Sequence, residues 1–123
     1  MQLERRRGTT KEIVLLLHGR DDAAFRHLLE VCVGLAEEPG SVAIHDLPGV
    51  RSVNGCQLIA VRSESDEGVR LDDNRYIWTL DSEGWRHAYH LLEPFAGDSS
   101  DGRCQFLEGR GDAMIVYSTD GDW

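Results

Sequence analysis

The stretch EIVLLLHGRDDAAFRHLLEVCVGLAEEPG, residues 12–40, sets the class of fold. Residues 13–17 are five consecutive apolar residues, a pattern typical of a strand that is covered on both faces. Apolar residues then recur at helical spacing over residues 25–36, and Asp21 or Asp22 can cap the first turn of that helix. The Pro-Gly pair that closes the stretch ends the helix, because proline disfavours helical geometry in the residue before it. A buried strand followed by an amphipathic helix indicates a folded protein of mixed α and β structure.

Strand-like segments recur through the rest of the chain. Residues 56–62 and 75–80 are rich in β-branched and aromatic side chains, and Asn54-Gly55 can adopt the positive φ angles of a hairpin turn before the first of them. Residues 104–107 and 113–118 are predicted as a hairpin closed through a Gly-Arg-Gly-Asp loop. These short segments favour a sheet whose strands are joined by tight turns.

Residues 81–95 allow two interpretations. Trp85, Ala88, Tyr89 and Leu92 share one helical face, and an aspartate or serine at the start can cap the first turn, so we predict a helix. The alternative is a hairpin turn at residues 81–84 followed by another strand, which would make the fold nearly all β after the first helix.

The predicted architecture is α+β: a five- or six-stranded antiparallel or mixed sheet with one or two helices packed on one face. Residues 1–11 lack periodicity and are predicted as a flexible basic N-terminal arm, with residues 12–123 as a single α+β domain. Residues 63–74 hold five carboxylates among turn-forming residues and are predicted as a solvated loop.

The charge of the chain limits its partners. The net charge is −9; the first eleven residues hold four cations and one acid and so carry +3, which leaves −12 for residues 12–123. A body that acidic repels nucleic-acid phosphates and anionic lipid head groups and attracts basic patches on other proteins. We therefore expect no nucleic-acid or membrane partner, and a basic protein as the partner if there is one.

The cysteines and the apolar runs indicate a location. Cys32, Cys56 and Cys104 are odd in number and widely spaced, and each lies in an apolar segment, which suits reduced core thiols better than disulfides. The apolar run after the basic start is too short for a secretion signal, and no run is long enough to span a bilayer. We expect a soluble cytoplasmic protein that is a monomer or a homodimer.

Two short motifs resemble sites in known families. Residues 15–19, Leu-Leu-Leu-His-Gly, resemble the strand end that opens the oxyanion loop of α/β-hydrolases, but the Gly-x-Ser-x-Gly nucleophile turn of that fold does not occur. Arg110-Gly111-Asp112 resembles the tripeptide that integrin ligands display on a turn. Glycine and aspartate are also the residues that a turn requires, so we interpret this motif as turn chemistry.

The candidate site residues are histidines, acids and one tryptophan. His87 and His90 would face the same side of a helix and are candidate metal ligands, although no recognised ligand spacing accompanies them, and we expect no cofactor. Trp123 could contact another molecule. The predicted partner-binding patch consists of the five carboxylates of the acidic stretch: Glu64, Asp66, Glu67, Asp72 and Asp73.

The sequence favours a binding protein over an enzyme. High negative charge, small size and the lack of an assembled catalytic set predict a non-enzymatic protein-binding module, such as an inhibitor or immunity-type protein that docks on a basic partner. The alternative is a small metal-binding protein or hydrolase that uses His18, His87 or His90 with nearby acids.

Overall fold

Two helices and nine strands form in the part of the chain that the computed structural model describes, residues 1–8, 12–19, 21–96 and 104–119. In chain order they are β1 (Gln2–Arg7), β2 (Ile13–His18), α1 (Asp22–Glu37), β3 (Ser41–Ala43), β4 (Arg51–Ser52), β5 (Leu58–Arg62), β6 (Gly68–Asp72), β7 (Arg75–Leu80), α2 (Ser82–Leu92), β8 (Cys104–Glu108) and β9 (Met114–Ser118). Short 3-10 segments follow β3 and α2.

The strands form two mixed sheets. The five-stranded sheet A has the order β4-β1-β2-β9-β8, and the four-stranded sheet B has the order β3-β5-β7-β6. The predicted α+β class is confirmed, but the strands are divided between two sheets instead of forming one. Side chains from both sheets and both helices enter one main core.

Strand β2 lies in the middle of sheet A, antiparallel to β1 and parallel to β9. Leu15 and Leu17 enter the main core, whereas Val14 and Leu16 are buried in a second cluster on the other face of the strand. Both faces of the strand are therefore covered, as its continuous run of apolar residues predicts.

Strand β1 corrects the prediction of a flexible arm over residues 1–11. Residues 2–7 pair in register with β2, with Leu3 opposite Leu17 and fully buried. One apolar residue among charged neighbours gives no periodic signal, so this strand depends on backbone hydrogen bonds to β2. Residues 9–11 lie outside the described residues, and the single-domain extent stays a prediction.

Strand β6 corrects the prediction of a loop over residues 63–74. Its five residues pair antiparallel with β7, and Val69 lies opposite Trp78 in the core. A two-residue turn with Asp73 at a φ of 60° joins the two strands. Four of the five carboxylates flank β6 and Asp72 is its last residue, where they suit the turns, while the interior of the strand carries an apolar side chain.

Both predicted helices are confirmed. The Asp21 carboxylate accepts a hydrogen bond from the Ala24 amide at 3.0 Å and caps α1. The Asp81 carboxylate caps α2 in the same way, through the Gly84 amide at 2.7 Å. Residues 82–92 are thus helical, and Trp85 is fully buried.

Two turn predictions have different outcomes. Asn54 and Gly55 have φ angles of 55° and 71°, as a tight turn requires, but they connect β4 of sheet A to β5 of sheet B and so close no hairpin. Strands β8 and β9 do form the predicted antiparallel hairpin, with a bulge between Phe106 and Glu108.

Candidate functional site

The predicted acidic patch is divided by strand β6. Glu64, Asp66 and Glu67 precede the strand, whereas Asp72 ends it and Asp73 follows it. Because each strand residue advances the chain by about 3.3 Å, the two groups lie roughly 16 Å apart along the strand. All five side chains are exposed, but they do not form one surface.

One of these groups is joined by acids from elsewhere in the chain. Strands β5 and β7 are parallel, so the segments that leave their carboxyl ends emerge at the same edge of sheet B. The end of α1 reaches this edge, where the Arg62 amide donates to the Gly40 carbonyl at 3.0 Å. We call the exposed carboxylates at this edge the acidic end: Glu37, Glu38, Glu64, Asp66, Glu67 and Glu83.

Most of the acidic end lacks a neutralising partner in the part of the chain that the structure describes. Asp66 forms an ion pair with Arg110, but none of the other five carboxylates forms one within the described residues. Arg62 also lies at this edge, where its guanidinium donates to the Leu35 carbonyl at 3.1 Å at the end of α1. Sequence reasoning missed Glu37, Glu38 and Glu83 because only the strand topology brings them to the acidic stretch.

A cleft of about 280 Å³ adjoins the acidic end. Its lining includes Asp66, His87 of α2, and Phe106 and Arg110 of the β8–β9 hairpin. Phe106 is 48% exposed, one of the few large apolar side chains that are open to solvent in the described residues. We call this the Phe106 cleft.

A buried carboxylate anchors the inner side of the Phe106 cleft. The Trp78 indole donates to Glu108 Oε1 at 3.1 Å, and Arg110 Nε donates to Glu108 Oε2 at 3.0 Å. Burial opposes ionisation of Glu108, but the hydrogen bonds from Arg110 and Trp78 outweigh it and hold the pKa of this carboxyl below its usual range. Hydrogen bonds to Glu108 and Asp66 raise the pKa of Arg110, which stays protonated.

The Arg110-Gly111-Asp112 motif fastens one sheet to the other. The Val69 amide donates to the Arg110 carbonyl at 3.2 Å, and the Asp112 amide donates to the Val69 carbonyl at 2.7 Å. The Asp112 carboxylate accepts from the Leu71 amide at 2.8 Å. We call residues 108–112 the clasp, because this loop of sheet A pairs with the outer edge of β6 in sheet B. These contacts support the interpretation of the motif as turn chemistry.

The candidate histidines lie at separate places. His18 of β2 contacts Glu4 at 2.9 Å, His90 lies 3.5 Å from Glu93 on the surface of α2, and His87 is exposed in the Phe106 cleft. The described residues contain no group of three or more His, Cys, Asp or Glu side chains placed to hold a metal ion. The metal site at His87 and His90 stays a prediction.

The remaining predicted residues have mixed outcomes. All three cysteines are free; Cys32 and Cys56 are buried as expected, but Cys104 is exposed because it begins β8, the outer strand of sheet A. Burial raises the pKa of the Cys32 thiol to about 12. Trp123 lies outside the described residues.

Within the described residues, neither helix combines the length and the apolar character needed to cross a bilayer. Comparisons of the chain with protein-family models, curated proteins and solved structures found no match.

Proposed function

We propose that this protein is a non-enzymatic binding module whose acidic end docks on a basic segment of another protein. The observation that carries the proposal is that five exposed carboxylates share one edge of sheet B without an ion-pair partner in the described chain. Unpaired charges of one sign attract an oppositely charged partner over about 8 Å at physiological ionic strength and raise its association rate.

The Phe106 cleft supplies the apolar contact that such an interface needs. Charged rims steer the encounter, whereas most of the binding energy of interfaces comes from a few buried apolar or aromatic side chains. Phe106 lies half-exposed in the cleft that adjoins the acidic end, so a basic partner with one apolar side chain can use both the cleft and the unpaired acids. Glu108 and Arg110, which also line the cleft, are hydrogen-bonded to each other.

The proposal includes a protein partner, a cytoplasmic location and a monomeric or homodimeric state. Surplus negative charge disfavours nucleic acid, because phosphates are repelled. Three free thiols, one of them exposed, suit a reducing compartment. Light scattering over a dilution series measures the oligomeric state.

Two variants with equal charge changes test the proposal. The acidic-end variant carries Glu37→Gln, Glu38→Gln, Glu64→Gln, Glu67→Gln and Glu83→Gln. The control variant carries five neutralising substitutions at exposed acids elsewhere: Glu12→Gln, Asp22→Asn, Glu30→Gln, Asp46→Asn and Glu93→Gln. Both variants have the same net charge, so a difference in peptide binding between them cannot come from net charge.

The probe is a short arginine- and lysine-rich peptide with one central leucine, measured by isothermal titration calorimetry. We expect binding to the wild type and the control variant that weakens with salt, and binding at least tenfold weaker to the acidic-end variant. Affinity capture from the native host with the same three proteins then identifies the partner. Equal losses in both variants, or binding insensitive to salt, would refute the acidic end as the docking surface.

A further inference from the structure

A second and larger cleft opens between the two sheets at the other end of β6. Its volume is about 610 Å³, and it lies between β1, the turn at residues 53–57 and the turn that joins β6 to β7. We call it the Arg5 cleft. Sites for small ligands usually measure about 300–1,000 Å³, so this volume suits a molecule of amino-acid size or somewhat larger.

The Arg5 cleft forms where the main core ends. Residues two apart on a strand face the same side, so Arg5 follows Leu3 on the core face of β1, and Leu71 follows Val69 on the core face of β6. Leu3 and Val69 are buried, whereas Arg5 is exposed and Leu71 is 47% exposed. Leu71 therefore lies on the core-facing side of its strand but is open to solvent, in a cleft that Arg5 also lines.

The guanidinium of Arg5 contacts no carboxylate of the residues that the structure describes. The neighbouring Glu4 contacts Arg6 and His18 instead, with Glu4 Oε1 at 2.8 Å from Arg6 Nε and 2.9 Å from His18 Nε2. Within the described residues, Arg5 forms neither an ion pair nor a side-chain hydrogen bond. Arg110, in contrast, contacts two carboxylates.

The remaining lining suits a ligand that is partly apolar and partly polar. Tyr76 and Leu71 provide apolar wall, and the amides of Asn54, Gln57 and Asn74 make no side-chain hydrogen bond within the described residues. Pockets that bind small molecules combine an apolar lining with a few polar groups that fix orientation.

We propose that the Arg5 cleft binds a small monocarboxylate with an apolar body, its carboxylate held by Arg5 and its apolar part packed on Leu71 and Tyr76. The planar guanidinium matches a carboxylate in a two-point contact. Arg5 shares the lining of this cleft with the carboxylates of Glu4 and Asp73, in a protein of net charge −9, which favours a monoanion over a doubly charged phosphate. This site is separate from the acidic end and does not depend on the proposed docking function.

The probes are phenylacetate, indole-3-propionate and 4-methylvalerate, each paired with its neutral primary amide. Binding is followed by two-dimensional ¹⁵N NMR, in which the backbone amides of residues 53–57 and 71–76 report on the cleft. We expect at least one carboxylate to shift these signals and to bind roughly tenfold or more tightly than its amide.

Three variants locate the contact. Arg5→Gln should weaken the carboxylate roughly tenfold or more and leave the weak binding of the amide unchanged, and Arg5→Lys should give an intermediate loss because it keeps charge without the planar fork. Arg7→Gln is the matched control, since Arg7 is also exposed on β1 but does not line the cleft. The NMR spectrum of each variant verifies its fold.

A second readout uses the thiol that lines the cleft. In a Cys104→Ser background, bound carboxylate should slow alkylation of Cys56 by iodoacetamide. The proposal is overturned if no carboxylate binds at millimolar concentration, if carboxylate and amide bind equally, or if Arg5→Gln and wild type bind alike. Those results would leave Arg5 as an exposed surface charge that binds no ligand.

Discussion

Arg110 and Arg5 both belong to sheet A, and each lines a cleft that residues of sheet B also line, but they have opposite surroundings. Arg110 contacts Glu108 and Asp66, and its backbone pairs with β6. Arg5 lines an open cleft and contacts no carboxylate in the described chain. The same type of side chain therefore bridges the two sheets at Arg110 but leaves the space between them open at Arg5.

This difference indicates that Arg110 has a structural role, whereas Arg5 is available to bind a ligand. A guanidinium whose donors are used within the protein cannot bind a ligand without first breaking those contacts. An exposed guanidinium without a partner contributes little to the free energy of unfolding and is free to bind. Substitutions that break the contacts of the clasp should therefore destabilise the protein, whereas substitution of Arg5 should not.

The largest expected effect is at Gly111 in the clasp. Gly111 has a φ of +91°, and a Cβ there would lie 1.9 Å from the Val69 carbonyl oxygen. Gly111→Ala should lower the free energy of unfolding by about 3 kcal/mol or more, because it strains the backbone and separates the clasp from β6. Gly109→Ala is the control, since its Cβ would meet nothing within 4 Å. Urea unfolding measures both, and equal stability of the two variants would contradict the clasp.

A smaller but substantial loss is expected at Glu108. Glu108→Ala removes the acceptor of the fully buried Trp78 indole and should cost about 2 kcal/mol. Glu108→Gln keeps an oxygen for the indole and should cost less. Glu64→Ala, at an exposed acid without an ion pair, should change the free energy of unfolding by no more than about 0.5 kcal/mol. A Glu108→Ala variant as stable as Glu64→Ala would show that the buried network contributes nothing.

The lowered pKa of Glu108 predicts acid sensitivity. Its stabilising contribution is complete above the pKa of the unfolded state, near 4.5, and is lost as the pH falls through the lower pKa of the folded state. Urea midpoints measured from pH 7 to pH 3 should therefore fall more steeply in the wild type than in Glu108→Gln, which cannot lose that charge. Parallel curves for the two proteins would contradict this assignment.

Elements with a local pattern could be predicted from the sequence. Helix α1 shows its capping aspartate and its apolar stripe directly, and the hairpin of β8 and β9 has two apolar segments around a glycine-rich loop. Helix α2 required a choice between two patterns, and the buried face of Trp85, Ala88 and Leu92 agrees with the helical one.

Elements that depend on distant partners could not be predicted. Strands β1 and β6 each carry few apolar side chains among charges, and they are strands because β2 and β7 supply the other half of their hydrogen bonds. The acidic end has the same origin, since its carboxylates come from three separate segments. In the sequence, the clasp could be identified only as turn residues. Its pairing with Val69 could not be predicted, because Val69 lies about forty residues earlier.

The smallest expected effect is at Arg5, and it completes the comparison. Arg5→Gln should change the free energy of unfolding by no more than about 0.5 kcal/mol, because the side chain is exposed and forms no ion pair with the described residues. Arg110→Gln is the matched substitution and should destabilise the protein clearly, since it leaves Glu108 buried with fewer donors. Urea unfolding at pH 7 compares the two variants directly. If Arg5→Gln destabilised the protein as much as Arg110→Gln, Arg5 would be a structural contact, and the Arg5 cleft would lose the free guanidinium on which carboxylate binding depends.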